Sequence, residues 1–130
     1  DLGVHQGRLK APSRTPNSVS SQAGLHPDHP RAREAAIAPF AFSGDGGQAM
    51  RRLTALLQRV PNLDIKQAGG DYLRAEARST TLHFVDDVEF WLDPANSAIQ
   101  VRSASRLGYS DRGVNRQRIE ALRSAFNAGG

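Results

Sequence analysis

Residues 84 to 92 read Phe-Val-Asp-Asp-Val-Glu-Phe-Trp-Leu, a β-rich run that carries three carboxylates. Successive side chains of a strand point to opposite faces of a sheet, so the run divides into two sets. The set expected to face a helical layer is Phe84, Val88, Phe90 and Leu92. The set expected to face away is Val85, Asp87, Glu89 and Trp91. Asp86 is then a carboxylate on the face that is otherwise expected to be apolar, which is unusual for this strand.

Four strand-like runs, of which this one is the third, predict an antiparallel sheet. The runs are Leu63 to Ala68, Tyr72 to Ser79, Leu82 to Leu92 and Ala98 to Arg106. Strong turn signals at residues 69–71 and 93–97 favour a four-stranded meander. Residues 37–42 alternate large apolar with small side chains, and Pro39 restricts them to an edge strand because proline has no N–H for a ladder.

Two amphipathic helices are predicted, one before and one after the meander. The apolar side chains of the first recur at helical spacing: Met50, Leu53, Leu56, Leu57 and Val60. Asp45 and Gln48 are placed as a capping box at its start. The second helix is expected from about Arg112 to Asn127, with Ser110 or Asp111 as its cap. Its apolar stripe is Val114, Ile119, Leu122 and Phe126.

These elements predict an α+β fold. The expected architecture is a two-layer sandwich, with an antiparallel sheet of about four to five strands and two helices on one face. Residues 1–35 contain four prolines and no apolar period, so we expect an extended N-terminal segment packed on the domain. Its anchors would be Leu9, Val19 and Leu25. Residues 36–130 would form the α+β core, and the whole chain one domain.

Composition narrows the classes of function. The 130 residues include 17 basic and 13 acidic side chains, with lysine only at positions 10 and 66. No basic run is interleaved with aromatic residues, which argues against nucleic acid as a partner. The absence of cysteine excludes thiol chemistry and disulfides. No apolar run of 18 residues occurs, so no transmembrane segment is expected in this chain, although the missing initiator Met leaves room for an upstream leader or anchor.

Three neighbouring acids, Asp86, Asp87 and Glu89, form the first candidate site. Paired carboxylates can act as acid and base, and oxygen ligands can bind a hard cation. The alternative is an ion-paired sheet face. Since parity separates Asp86 from the other two acids, all three cannot easily bind one ion, and no metal is predicted. The pair His26 and His29 lies in a proline-rich loop without a third ligand.

A dense polar run before the second helix forms the other candidate site. It contains Arg102, Ser103, Ser105, Arg106, Tyr109, Ser110 and Asp111. Two arginine forks, hydroxyl groups and a helix start together favour an anion. Asn115 on the first helical turn could extend this site. In the alternative, Asp111 only caps the helix, and Arg102 and Arg106 pair with the acids Asp87 and Glu89.

Four motifs together resemble the bacterial and plastid family named domain of unknown function 1499. They are Gly7-Arg-Leu9, Pro16-Asn-Ser-Val-Ser-Ser-Gln22, Phe84-Val-Asp-Asp-Val-Glu-Phe90 and residues 101–118. The resemblance implies a single small domain, in the bacterial cell envelope or periplasm or in plastids, often behind a signal or membrane segment, with no established reaction. It also implies that the N-terminal motif, the acid strand and the arginine run meet in space, which would bring Asn17, Ser20 and Ser21 into the polar site.

One departure from the family concerns two serines. Many relatives carry cysteine where Ser13 and Ser18 stand, so any crosslink or thiol role is lost in this chain.

The leading hypothesis is a non-enzymatic envelope module that binds a small anion or a partner protein without a cofactor. Its expected ligand-binding residues are Arg102, Arg106, Tyr109, Asn115, Asn17 and Ser105. The acids expected to orient the guanidiniums or to have a structural role are Asp86, Asp87, Glu89 and Asp111. One alternative is a hydrolase-like enzyme with Asp86 or Asp87 as the base. Another is a structural module that self-associates through the edge strand at residues 37–42.

Overall fold

The computed structural model describes residues 1–79 and 84–129, which form six strands and two helices. The strands are β1 (Ser18–Ser20), β2 (Phe40–Ala41), β3 (Leu63–Gly69), β4 (Tyr72–Arg78), β5 (Val85–Asp93) and β6 (Ala98–Ser105). The helices are α1 (Gly46–Gln58) and α2 (Val114–Gly129). The expected first residues of the third strand, Leu82 and His83, lie outside the described residues. None of the described helices is long and apolar enough to cross a membrane.

The strands form one antiparallel sheet in the order β1-β6-β5-β4-β3, and β2 also pairs with β6. The predicted meander from β3 to β6 is confirmed. β1 is a strand that the sequence did not predict. Its three residues belong to the segment that was expected to be extended and outside the sheet. A three-residue strand has no readable period, so only its pairing with residues 102–104 of β6 makes it a strand.

Strand register determines which side chains are neighbours across the sheet. Glu89 of β5 lies between Arg74 of β4 and Arg102 of β6, and Asp87 lies opposite Glu76. The expected parity of β5 is confirmed for its central residues, since Val88 and Phe90 belong to the apolar core whereas the acids of the other parity do not.

The core lies between the sheet and the two helices. Its largest fully buried apolar side chains are Phe40, Phe90, Leu53, Leu57, Leu73, Ile99 and Ile119. The Phe40 ring contacts the rings of Phe90 and Phe126, at centroid distances of 5.7 and 5.5 Å. Burial of each such side chain contributes roughly 1.5–3 kcal/mol. Asp45 caps α1 by accepting a hydrogen bond from the Gln48 N–H, as its sequence position predicts.

Three apolar residues assigned to buried positions are exposed instead: Leu25, Phe84 and Val114. Phe84 precedes β5 and Val114 begins α2, so both lie at the edge of the layered region. The α2 helix starts later than expected because residues 112 and 113 have positive φ angles of 54° and 83°. Asp111 is the cap, and its carboxylate accepts the N–H groups of residues 113 and 115.

The sheet face turned away from the helices, called here the outer face, is contacted by the N-terminal segment. The Gly3 N–H donates to Glu89 at 2.7 Å, and the Ala11 carbonyl accepts two hydrogen bonds from Arg102. Leu9, one of the expected anchors of this segment, is buried. The predicted lattice of charges on this face is therefore partly covered. The division into residues 1–35 and 36–130 stays a prediction.

Candidate functional site

Asp86, the acid expected on the inward face, is buried and ion-paired. Its Oδ2 lies 2.8 Å from Nη2 of Arg118 on α2, the helix that covers this end of the sheet. Burial without a partner would be costly for a carboxylate, so the arginine explains how an acid is tolerated there. Arg118 follows Asn115 by one helical turn and therefore shares the sheet-facing side of α2.

Asp87 and its neighbours form an ion-pair network on the outer face. Arg106 binds Asp87 with two hydrogen bonds of 2.9 Å each and also reaches Glu76 at 2.7 Å. Arg74 contacts Glu76 at 3.3 Å and Asp87 at 3.4 Å, and Arg78 contacts Glu76 at 3.1 Å. The hydrogen bonds to Asp87 and Glu76 raise the pKa of Arg106. Arg106 thus has the carboxylate partner that the pairing alternative expected.

Glu76 stabilises the fold in a pH-dependent way. Burial acts to raise the pKa of Glu76, but the hydrogen bonds from Arg106 and Arg74 outweigh it and lower the pKa below its ordinary value of 4.5. A carboxyl group with a lowered pKa stabilises the folded state above its ordinary pKa, and this contribution is lost as the pH falls through the folded-state value.

Glu76→Gln is therefore expected to reduce the free energy of unfolding by about 1 kcal/mol at pH 7. The difference from the unsubstituted chain should shrink as the pH is lowered below 4.5, the ordinary pKa of this group. Thermal unfolding of both proteins between pH 7 and pH 3 measures it. Glu34→Gln, at an exposed position, is the control. A Glu76→Gln difference that stays constant over this range would contradict the explanation.

Glu89 and Arg102 are the most deeply buried charged residues on the outer face, with 0% and 3% of their surface exposed. Oε2 of Glu89 accepts hydrogen bonds from the Tyr72 hydroxyl at 2.6 Å and the Gly3 N–H at 2.7 Å. Its Oε1 has no partner among the described residues. Burial and the bond to Glu89 raise the pKa of Tyr72. The hydroxyl therefore stays protonated and remains a donor.

Arg102 does not form the expected salt bridge. Its Nε and Nη2 both donate to the Ala11 carbonyl, at 3.2 and 3.0 Å, and no described carboxylate lies within 4 Å of the guanidinium. Burial lowers the pKa of Arg102, and the charges of Glu89 and Asp87 partly offset this effect. The partner of Arg102 is therefore a backbone carbonyl of the N-terminal segment, whereas the sequence analysis considered an acidic side chain.

Asn115 is a buried connection between α2, β6 and the N-terminal segment. None of its surface is exposed. It hydrogen-bonds at 2.6 to 3.1 Å to the hydroxyls of Ser103 and Ser105, the Asn17 carbonyl, the Asp111 carboxylate and the Arg118 guanidinium. Its amide nitrogen and its oxygen are both occupied by these contacts, so Asn115 links the three elements. Its expected role in ligand binding stays a prediction.

Four of the six expected ligand-binding residues line one polar cleft of about 560 Å³, called here the arginine cleft. Its lining consists of Asp1, Leu2, Lys10, Ser13, Asn17, Asp87, Arg102, Ala104, Ser105 and Arg106. Asn115 lies beneath it, and Tyr109 lies in the loop before α2 with 73% of its surface exposed. Neither lines the cleft. Sequence reasoning missed Lys10, which lies in an irregular segment and carries no local signal.

Asn17 joins the N-terminal segment to this cleft. Its Nδ2 donates to the Gly108 carbonyl at 2.7 Å, whereas its buried Oδ1 has no hydrogen-bond partner among the described residues. Ser20 and Ser21, which the resemblance placed in the same site, do not line the cleft. Ser20 pairs with Arg102 across β1 and β6 and accepts the Gln22 N–H, and Ser21 binds Gln100. Of Asn17, Ser20 and Ser21, only Asn17 lines the arginine cleft.

Ser13 and Ser18 are neighbours, since the Ser13 N–H donates to the Ser18 hydroxyl at 2.9 Å. No group of three or more His, Asp or Glu side chains within residues 1–79 and 84–129 is placed to hold a metal ion. Nδ1 of His29 instead accepts the Arg31 N–H at 3.0 Å.

The fold and the cleft define a small α+β domain with a polar site formed by a sheet and its N-terminal segment. Residues 8–126 match the family described as protein of unknown function (DUF1499), and the chain belongs to that family. Comparison with curated proteins and comparison with solved structures each returned no match.

Proposed function

We propose that this chain is a binding module, and that a small anion, a carboxylate or a phosphate, binds in the arginine cleft. The observation that carries the proposal is Arg102, a buried cation that lines the cleft and has a backbone carbonyl, not a carboxylate, as its hydrogen-bond partner. A guanidinium held in this way is preorganised to bind an anion with little loss of side-chain entropy.

Charge in the arginine cleft supports an anionic ligand. Three cations line it, namely Lys10, Arg102 and Arg106, and one of its two acids, Asp87, is already bound by Arg106. Lys10 forms no ion pair within 4 Å in the described part of the chain. An anion that contacted Arg102 and Lys10 would therefore meet two positive groups without displacing an existing salt bridge.

Asn17 suggests what else the ligand carries. Its buried Oδ1 is an acceptor without a partner among the described residues, and a buried acceptor is stabilised when a donor reaches it. An anion that also bears a hydroxyl or amino group satisfies both Arg102 and Asn17. A hydroxycarboxylate therefore fits the cleft better than a simple inorganic ion. The placement of the module in the bacterial envelope or periplasm rests on the family resemblance.

An NMR titration of the ¹⁵N-labelled chain with phosphate and with citrate, a hydroxycarboxylate, tests this function. We expect saturable shifts of the Ser105 amide and the Arg102 Nε–H, with citrate the tighter ligand. Lys10→Gln should weaken binding by about two- to fivefold, as expected for an exposed charge pair. Lys66→Gln removes the only other lysine, which lies on β3 and does not line the cleft, and should weaken binding less than Lys10→Gln does.

Two outcomes would contradict the proposal. One is the absence of saturable shifts at Ser105 and Arg102 with either anion. The other is an equal effect of the Lys10 and Lys66 substitutions, which would indicate nonspecific attraction to a basic chain. Since Lys10 is exposed, its substitution is expected to leave the fold intact.

The two other functions have weaker support. Asp86 and Asp87, the candidate bases of a hydrolase, are each bound by an arginine at 2.8 to 2.9 Å. Self-association was assigned to residues 37–42, but β2 is two residues long and already pairs with β6. A short, paired strand offers few free backbone groups to a second copy.

A further inference from the structure

A second cleft lies at the other end of the outer face, around Trp91. Its volume is about 380 Å³, which is within the range of small-molecule sites. Trp91 and Asp93 both line it, and they are two residues apart on β5, so their side chains share one face. This site is here called the tryptophan cleft. It is separate from the arginine cleft and shares no lining residue with it.

Asp93 is a buried carboxylate held by neutral groups. Only 7% of its surface is exposed. Its Oδ2 accepts hydrogen bonds from the side-chain amides of Asn96 at 2.7 Å and Gln100 at 3.0 Å. These amides fix the carboxylate, and none of its described hydrogen bonds uses Oδ1. Asp86 and Asp87, by contrast, each have an arginine within 3 Å.

Asp93 is the only charged residue among the described residues that line the tryptophan cleft. No described Lys, Arg or His lies within 4 Å of its carboxylate. Arg8 is near the rim, where its Nη1 donates to the Leu25 carbonyl at 3.0 Å. In a chain with a net charge of +4, a negatively charged cleft is distinctive. A buried carboxylate without a cationic partner favours a positively charged ligand.

Trp91, the single tryptophan of the chain, supplies an aromatic wall. Gly7 lies beside the ring. A Cβ atom added to Gly7 would lie 3.9 Å from the nearest atom of the indole ring. The ring is half-buried, so part of it is accessible from the cleft. Cations are attracted to the face of an indole ring, and the attraction increases when a carboxylate completes the site.

We propose that the tryptophan cleft binds an organic ammonium ion, with the positive nitrogen between the Trp91 ring and Oδ1 of Asp93. This inference is independent of the proposed anion site, because it uses other residues and the opposite charge. A neutral sugar could also contact Trp91 and the amides of Asn96 and Gln100. Binding of a neutral sugar would not depend on the negative charge of Asp93, whereas binding of an ammonium ion would. This dependence on charge distinguishes the two ligand classes.

Intrinsic fluorescence tests the proposal directly, because all tryptophan emission comes from Trp91. We titrate the chain with choline and, separately, with 3,3-dimethyl-1-butanol, a neutral molecule of the same shape, at constant ionic strength. Choline is expected to cause a saturable change in emission. Its affinity should exceed that of the neutral analogue by about fivefold or more, since a cation–π contact in a partly desolvated site contributes about 1 kcal/mol or more.

Asp93→Asn is the matched variant. An asparagine keeps a carbonyl oxygen that can accept from Asn96 and Gln100 but removes the charge. It should weaken choline binding by about fivefold or more and leave the neutral analogue unaffected. Asp64→Asn, on an exposed acid of β3, is the control and should bind choline like the original chain. If Asp93→Asn fails to fold, the comparison of choline with its neutral analogue still decides the question.

Equal affinity for choline and 3,3-dimethyl-1-butanol would overturn the proposal, as would unchanged choline affinity in a folded Asp93→Asn variant. Preferential binding of methyl glucoside would assign the cleft to sugars instead. Failure of the phosphate and citrate titrations would leave this inference untouched, because those ligands are monitored at Ser105 and Arg102.

Discussion

Asn115→Ala is expected to reduce the free energy of unfolding by about 3 kcal/mol or more. The side chain is fully buried and hydrogen-bonds to two serines of β6, to the Asn17 carbonyl and to Asp111 and Arg118. Truncation to alanine leaves several of these buried groups without a partner. An unsatisfied buried polar group costs about 1–3 kcal/mol, and the cavity left by the amide adds to this loss.

Urea denaturation followed by circular dichroism measures the effect. Asn127→Ala provides a matched control, since Asn127 lies on the same helix and is exposed. The control should change stability by less than about 0.5 kcal/mol. If Asn115→Ala and Asn127→Ala were equally stable, the connection between α2, β6 and the N-terminal segment would not be a stabilising one.

Asp86→Ala is expected to reduce the free energy of unfolding by about 3 kcal/mol, because it leaves Arg118 with no carboxylate partner in a largely buried position. The guanidinium would keep only its hydrogen bonds to Ser103 and Asn115. Removal of both charges should reduce the free energy of unfolding much less than removal of Asp86 alone. The double variant Asp86→Leu with Arg118→Met is therefore expected to be more stable than Asp86→Ala.

Thermal and urea unfolding of these variants test the second prediction. Asp64→Ala breaks an exposed contact of 3.9 Å to Arg78 and should change stability by less than about 1 kcal/mol. Equal losses for Asp86→Ala and Asp64→Ala would mean that burial adds nothing to the Asp86–Arg118 pair. A double variant less stable than Asp86→Ala would likewise contradict the explanation.

Part of the candidate site was readable from the sequence. Arg102 and Arg106 share a parity on one run, and Asp87 shares a parity with Glu89 on the preceding run, so their placement on one face followed from strand geometry. The inward position of Asp86 followed from the same rule. Its partner did not, because Arg118 lies 32 positions away on a different element.

Other features of the site could not be read locally. Asn115 belongs to the helix start, where an asparagine is expected to be solvated, and only the packing of α2 on β6 buries it. Lys10 and the Ala11 carbonyl reach Arg102 and its cleft through an irregular segment without a period. Trp91 was predicted as an outward residue of its strand, whereas Asp93 was assigned to the turn at residues 93–97. The structure extends β5 to Asp93, and the amides that hold its carboxylate come from the following turn and from β6.

The sequence by itself determined the α+β class, the meander from β3 to β6, the two helices and the parity of the acid strand. These depend on hydrophobic period, caps and turn residues, which are local properties of the chain. Only the tertiary structure decided that the N-terminal segment crosses the outer face, that Arg102 binds a carbonyl and that Asn115 is buried. Those contacts join residues 80 to 100 positions apart, and no local pattern specifies which distant groups will meet once the sheet and helices pack.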